Sequence, residues 1–469
     1  PMAHANVISR MGTKGFGWCF SFLLAALVTW AFHDPANAAL NYYWFGTITA
    51  IGMFAFDLLP NFVVAVLLLM YYIIMGVCAP EVAFVGWTTP IPWLSMCGML
   101  IGVLMDKTRL SRRIALFVVS RVGTTPIRLY SAFLGAGFLL NAIIPDIITV
   151  DILFMTIAGG MCEALRLDPN SRASTTLILA AFFGATISAA CFLPNNTGII
   201  GLLMVKDMGV PFTWGGFLVE QLPYQLCHAL LAFAILHVFG GKALGEIISR
   251  CRASAEADLL ELGKIRRVEK KTLILALCAL VAFVSEPLHG IPGYFAFCGT
   301  VLLGFTPIFG LMDVDDLKEI QFPILFFIAG CMAIGIVAGS LGIPAWLSAK
   351  IVPYLQQIES LAGICFFSYW VGIIANLVLT PVAAATALSV PLAEIATNLG
   401  IGIKPVLYSF LYGVDQFFLP YELAPALIMF ATGYVRVRYL LPLMTLRMIL
   451  AGFALLFVSS VVWPLIGLA

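Results

Sequence analysis

The sequence predicts an all-α polytopic membrane protein with about 11 transmembrane helices in two inverted repeats, carrying re-entrant hairpins and broken helices. Two observations carry that reading. Of the 469 residues, 62% are hydrophobic and only 10% charged, with a mean hydropathy of +1.03, whereas a soluble domain carries roughly 25% charged residues. Second, two apolar runs are interrupted in the same way, by Phe192-Leu193-Pro194-Asn195-Asn196-Thr197-Gly198 and by Phe418-Leu419-Pro420-Tyr421-Glu422. Hydrocarbon offers backbone groups no water, so a helix broken at membrane depth survives only where protein or an aqueous cavity satisfies the freed N–H and C=O groups. Paired breaks in two halves are the pattern expected around the binding centre of a secondary transporter.

Composition excludes other classes. A net charge of +1 gives no footprint for nucleic acid. The 11 cysteines are scattered through apolar runs without C-x-x-C spacing, which suits small packing residues and neither disulfides nor metal ligands. The five histidines are dispersed and no nucleophile stands beside a base, so the chain is read as a carrier and not an enzyme.

In chain order, Gly17 to His33 forms a first span with a cytoplasmic N-terminus; Ala36-Asn37-Ala38 imitates a signal-peptidase site. Spans follow near 40–59 and 61–79. Trp87 to Met105 is a glycine-containing segment expected to form a hairpin, and Ile114 to Val122 is a short interfacial arm. Ser131 to Ala158 is long but holds Asn141, Pro145, Asp146 and Asp151; Ala173 to Val205 contains the first Phe-Leu-Pro break. Phe212 to Phe239 is a span. Residues 240–271 are polar and rich in Lys and Arg, which places them in the cytoplasm. Spans near 272–287 and 291–311 open the second half. Pro323 to Ala345 turns at Gly339-Ser340-Leu341-Gly342, as a hairpin would. Leu361 to Ser389 is broken at Asn376, Thr380 and Pro381, Leu407 to Ala431 holds the second Phe-Leu-Pro break, and Tyr439 to Leu468 is the last span. The order hairpin, broken helix, broken helix thus occurs twice. The corresponding division is 1–85 (N-terminal helix and scaffold), 86–205 (first transport region), 206–311 (scaffold with the 240–271 loop), 312–432 (second transport region) and 433–469 (C-terminal scaffold helix).

At these landmarks the chain resembles the divalent anion/sodium symporter family of the ion-transporter superfamily. The likeness lies in Pro92-Trp93-Leu94 through Arg112-Arg113-Ile114, in Glu319-Ile320-Gln321-Phe322-Pro323 and its glycine-rich continuation to Trp346, in Ala185 to Gly201, and in Gly413 to Ala431 with the following Gly-Tyr-Val-Arg-Val-Arg run. The resemblance implies a homodimer with an elevator-type transport domain. Both of the family's Ser-Asn-Thr triplets are degenerate here, falling on Pro145-Asp146-Ile147 and on Thr380-Pro381-Val382 or one residue later.

The expected substrate contacts are Asn195, Asn196, Thr197, Thr380, Tyr421 and Glu422, because half-helix N-termini offer free N–H donors and a positive dipole end to a carboxylate. The expected cation ligands are Asn141, Asp146, Asn376 and Thr380; Asp146 serves equally as a helix cap. Asp151 is read as a cap or a cytoplasm-facing group, and the pocket has no obvious Lys or Arg. These features point to uptake of a small organic anion such as a carboxylate, coupled to Na+ or H+, in a bacterial inner membrane among its lipids. Na+ is the one ion that could act as a cofactor, and no other metal or nucleic acid is expected. The alternative is a sodium/proton antiporter or a carrier of a zwitterionic or cationic solute.

Overall fold

The computed structural model describes residues 2–56, 58–122, 124–144, 146–169, 171–193, 196–358, 360–417 and 424–468, and its regular structure there is entirely helical. The chain folds as two compact units, residues 1–92, 200–210 and 321–415 forming the first and 93–199, 211–320 and 416–469 the second. The first unit begins with α1 (Met2–Ala31), α2 (Ala38–Ala55), α3 (Asn61–Ile74) and the single turn α4 (Pro80–Ala83). Most of α5 (Pro90–Lys107) then belongs to the second unit, with α6 (Leu110–Val122), α7 (Pro126–Ile143), α8 (Ile147–Ala164) and α9 (Arg172–Ala189). The helix α10 (Asn196–Met204) starts in the second unit and ends in the first. The second unit continues with α11 (Trp214–Gly245), α12 (Ile248–Glu261), α13 (Arg267–Val284), the turn α14 (Glu286–His289) and α15 (Gly293–Leu302). The first unit takes α16 (Phe322–Ser340), α17 (Ile343–Leu355), α18 (Leu361–Val378), α19 (Pro381–Asn398) and α20 (Ile403–Val414). The short α21 (Ala424–Ala431) and the long α22 (Val437–Phe457) return to the second.

Five of these helices are long and apolar enough to cross a membrane: α7, α9, α11, α16, and α22 with its continuation to Leu465. Burial separates them. Within its apolar window α9 is 94% buried, and α11 only 33%, so α9 is enclosed by protein on all sides while α11 keeps an apolar face outward.

Three of the four expected breaks are present, and the fourth, at 418–422, lies outside the described residues between the end of α20 and the start of α21. α7 stops at Ile143 and α8 starts at Ile147; α9 stops at Ala189 and α10 starts at Asn196; α18 stops at Val378 and α19 starts at Pro381; α20 stops at Val414 and α21 starts at Ala424. The second hairpin turns where the glycines suggested, at Gly342, whose φ of 72° is the left-handed conformation that glycine adopts without steric cost. The first differs from expectation. Residues 90–107 form one continuous helix, and the chain leaves it only at Thr108 and Arg109 (φ 62°), ahead of α6. Gly98 and Gly102 lie in the interior of α5. At Gly102 the reason is close packing, since a Cβ there would press on the Thr149 side chain of α8.

Each unit contains the same helix pair, fastened by glycine. In the second unit α7 packs on α9, where a methyl on Gly137 would collide with the Gly184 carbonyl and one on Gly184 with the Phe133 backbone. In the first, α18 packs on α20, where a methyl on Gly413 would collide with the Tyr369 carbonyl and one on Gly372 with the Phe410 carbonyl. The contacts are backbone to backbone, so no side chain can be accommodated by a rotamer change.

Candidate functional site

The second unit's half-site is built on the α7–α8 break. Asn141 lies near the end of α7 and is buried; its Nδ2 donates to the Ala185 carbonyl (3.0 Å) and to Ser188 Oγ (2.9 Å) of α9. Ser188 in turn donates to the Gly184 carbonyl at 2.6 Å. The amide therefore ties α7 to α9 at the glycine contact, and neither bond uses its Oδ1, the atom a cation would take. α7 closes with the Ile144 N–H donating to the Leu140 carbonyl. Pro145 lies outside the described residues.

Asp146 is the N-cap of α8. One carboxylate oxygen accepts from the Ile148 N–H (3.2 Å), the other from the Thr149 N–H (3.2 Å) and the Thr149 hydroxyl. Its charge thus meets two of the orphan donors at the helix start and the positive end of the helix dipole. Asp151, one turn further, is different from what the sequence suggested. It caps nothing and faces no solvent: it is 0% exposed, inside α8, and neither carboxylate oxygen has a hydrogen-bond partner among the described residues.

The α9–α10 break follows the C-terminal end of α9. Phe192 is held against Phe138 of α7 (4.8 Å between centroids) and Trp214 of α11 (5.6 Å). Pro194 and Asn195 lie outside the described residues. Asn196 begins α10, and Thr197 is buried on its first turn. Gly198 abuts the Phe217 ring of α11, which a Cβ would meet.

The first unit's half-site is the α18–α19 break. Asn376 is buried near the end of α18, and Thr380 is the N-cap of α19, its hydroxyl accepting from the Ala383 N–H at 3.4 Å with Pro381 in the first helical position. Thr386 and Ser389, further along α19, are buried and return their hydroxyls to carbonyls of their own helix. Tyr421 and Glu422 lie outside the described residues.

The second unit also buries a cation that the sequence reading overlooked. Arg447 of α22 is 1% exposed; its guanidinium lies 5.2 Å from the Phe183 ring centroid and 4.8 Å from that of Phe417, and donates to the Phe417 carbonyl at 3.4 Å. Aromatic faces attract a desolvated guanidinium through the ring quadrupole. The signal available was one arginine in the interior of the last apolar run. Ser188 was missed too, having only its spacing ahead of the break to mark it.

Away from the breaks, ion pairs fix the helix ends. Arg113 of α6 pairs with Glu269 at the start of α13 (2.5 Å), and Arg266 joins at 2.9 Å. Burial pushes the Glu269 carboxyl up, but the hydrogen bonds from Arg113 and Arg266 outweigh it and hold the group below the usual glutamate range. Lys107 pairs with Asp316 at 2.8 Å, and that hydrogen bond keeps the ammonium above the usual lysine range. Among the described residues no group of three or more His, Cys, Asp or Glu could hold a metal ion.

Three comparisons bear on this arrangement. Residues 51–413 match the family model described as CitMHS, citrate transporter. L-tartrate/succinate antiporters from Escherichia coli O6:K15:H31 and from Shigella dysenteriae serotype 1 are 23% and 22% identical over 377 residues, covering 75% of this chain and 74% of theirs. The fold is similar to the crystal structure of the Alcanivorax borkumensis YdaH transporter, with a TM-score of 0.54 at 15% identity, over 80% of this chain and 85% of that one.

Proposed function

Because the chain belongs to the citrate transporter family, we propose that it carries a small di- or tricarboxylate across a bacterial inner membrane in steps coupled to a cation or to a counter-carboxylate. The observation that supports this reading is the repeated break: in each unit an asparagine lies near the end of one helix, and a capped half-helix begins just after it.

The two caps suggest a division of labour. Asp146 already places a carboxylate at the start of α8, so that end repels an anion and suits a cation, with the Asn141 Oδ1 and the Asp146 oxygens as ligands. Thr380 is neutral and leaves the start of α19 attractive to either the substrate carboxylate or, with Asn376, a second cation. At the start of α10, Asn196 and Thr197 are the further carboxylate contacts, with Asn195, Tyr421 and Glu422 completing the expected set. Sodium is the cation of first choice at Asn141 and Asp146, being bound through hard oxygen ligands. The homodimer and the elevator motion implied by the superfamily belong to the same reading, as does a cytoplasmic N-terminus.

The test is transport into proteoliposomes preloaded with unlabelled citrate, succinate or tartrate, with sodium and pH gradients imposed separately. Entry of a labelled carboxylate that depends on an internal carboxylate supports exchange; entry into empty vesicles driven by a gradient supports uptake. Sodium-for-proton exchange with no organic solute present, and no carboxylate flux, contradicts both.

A further inference from the structure

Asp151 is a carboxylic acid with no visible reason to be where it is. It is fully buried in α8, and no described residue donates to either oxygen. Its helix neighbours one turn on, Phe154 and Met155, are buried and apolar, and the Phe133 ring of α7 covers Phe154 at 5.6 Å. An ionised carboxylate in such surroundings costs several kcal/mol unless something neutralises it.

No charge from the surrounding elements does so. On α6, Arg112 pairs with Asp258 and Arg113 with Glu269, while Arg121 lies over Phe117. On α7, Arg128 donates to Thr124 and Tyr130 stacks on Phe233. Arg172 of α9 lies over Phe239, and Arg252 of α12 pairs with Glu256. Arg250, Cys251 and Glu261 of α12, and Asp106 and Lys107 of α5, make no bond to Asp151, and α21 carries no titratable side chain. On α8 itself Asp146 is occupied as the cap, and Cys162 and Glu163 lie beyond the next two turns.

We propose that Asp151 is the proton-binding site of this carrier: in the conformation described here it holds one proton, and it releases that proton when α8 meets water in another state of the cycle. The proposal rests on the carrier reading above. A proton is favoured over a metal cation because the helix neighbours Phe154 and Met155 are apolar, and a proton needs only the carboxylate. The step balances simply: the O–H bond of the acid breaks, the proton passes to water, and the carboxylate keeps the electron pair. The neighbouring Asp146 differs because its oxygens already accept three donors.

The experiment uses the full chain in proteoliposomes, as wild type, Asp151→Asn and Asp151→Leu. With an acidic exterior, wild type is expected to accumulate labelled carboxylate by about tenfold per pH unit for each coupled proton. Both variants are expected to lose this accumulation while still exchanging label against internal carboxylate. Accumulation by Asp151→Asn equal to wild type overturns the proposal, as does wild-type accumulation that ignores the pH gradient. If neither variant folds, dicyclohexylcarbodiimide decides on wild type, since it attaches to protonated carboxyls in apolar surroundings. Labelling at Asp151 found by peptide mass, and declining as pH rises, is the expected result; no label there is the contrary one. Wild type that moves no carboxylate under any condition ends the carrier reading, and the labelling still reports on Asp151 by itself.

Discussion

The two units carry the same device with different charge. In both, a helix with a buried asparagine near its end (Asn141, Asn376) packs through glycine on a neighbour, stops, and hands over to a half-helix of 18 residues capped by a side chain. In the second unit the cap is the carboxylate Asp146 with three donors, and in the first it is the hydroxyl of Thr380 with one. The contrast extends further: the ion pairs of Lys107, Arg112, Arg113, Arg252, Arg266 and Lys318 lie in the second unit, as do the buried Asp151 and Arg447. The repeated architecture and the charge are therefore separable. Glycine contacts and breaks are shared by both halves, whereas the carboxylate cap and the buried Asp151 and Arg447 belong to the second.

The second unit's stability is expected to respond to pH through Glu269. Glu269 is held below its ordinary range, so its contribution is present at neutral pH and is lost as pH falls below about 4.3 and through the folded value. Removing one partner of a buried pair strands the other, which costs about 3–5 kcal/mol. Glu269→Gln is accordingly expected to lower the melting temperature strongly at pH 7 and to flatten its dependence on acid, measured by fluorescence in detergent. An unchanged acid response would detach the Arg113–Glu269 pair from the unit's stability.

Next in size is substrate contact at α10. Thr197→Ala, or Asn196→Ala, is expected to weaken carboxylate binding by about 1.5–3 kcal/mol, the range for one hydrogen bond to a charged group, with the folded protein intact. Isothermal titration with the transported acid checks it, and unchanged affinity in both variants would leave the Asn195-Asn196-Thr197 stretch as a helix break only.

The glycine contacts test the sameness of the halves. Gly184→Ala and Gly413→Ala each push a methyl into a backbone that cannot yield, and each is expected to cost about 1–3 kcal/mol. Similar losses in melting temperature support equivalent packing. A loss in one variant alone would break the comparison.

The smallest effect on stability and the sharpest on function is expected at the caps. Asp146→Asn keeps a good cap, so stability changes by a few tenths of a kcal/mol, while the sodium dependence of transport shifts. Thr380→Ser is expected to change neither. Wild-type sodium dependence in Asp146→Asn would reduce Asp146 to a helix cap.

Much of the fold was legible because a proline or a polar side chain in an apolar run has few meanings in a membrane. Pro194 and Pro381 beside amides and hydroxyls marked breaks, and Asn141 and Asn376 marked the helix ends before them. What stayed hidden depends on which way a helix faces. Asp151 and Asp146 look alike in sequence, yet one caps α8 and the other is sealed inside it, a difference set by the packing of α6, α7 and α9 around α8. Nothing in the sequence around Arg447 shows which way it faces, whereas in the structure Phe183 and Phe417 supply it with a buried seat. The first hairpin was misplaced for a related reason: Gly102 of α5 serves contact with α8, and the left-handed residue falls later, at Arg109.

The central claim is that the chain carries a carboxylate at its helix breaks, and counterflow measures it most directly. Purified full-length protein is reconstituted into vesicles loaded with millimolar succinate, tartrate or citrate, and entry of the same labelled acid is followed against protein-free vesicles. Rapid entry that needs both the protein and an internal carboxylate, and that is slowed in Thr197→Ala, is the predicted result. Entry no faster than in protein-free vesicles for all three acids, with sodium and pH gradients each imposed in both directions, would contradict it.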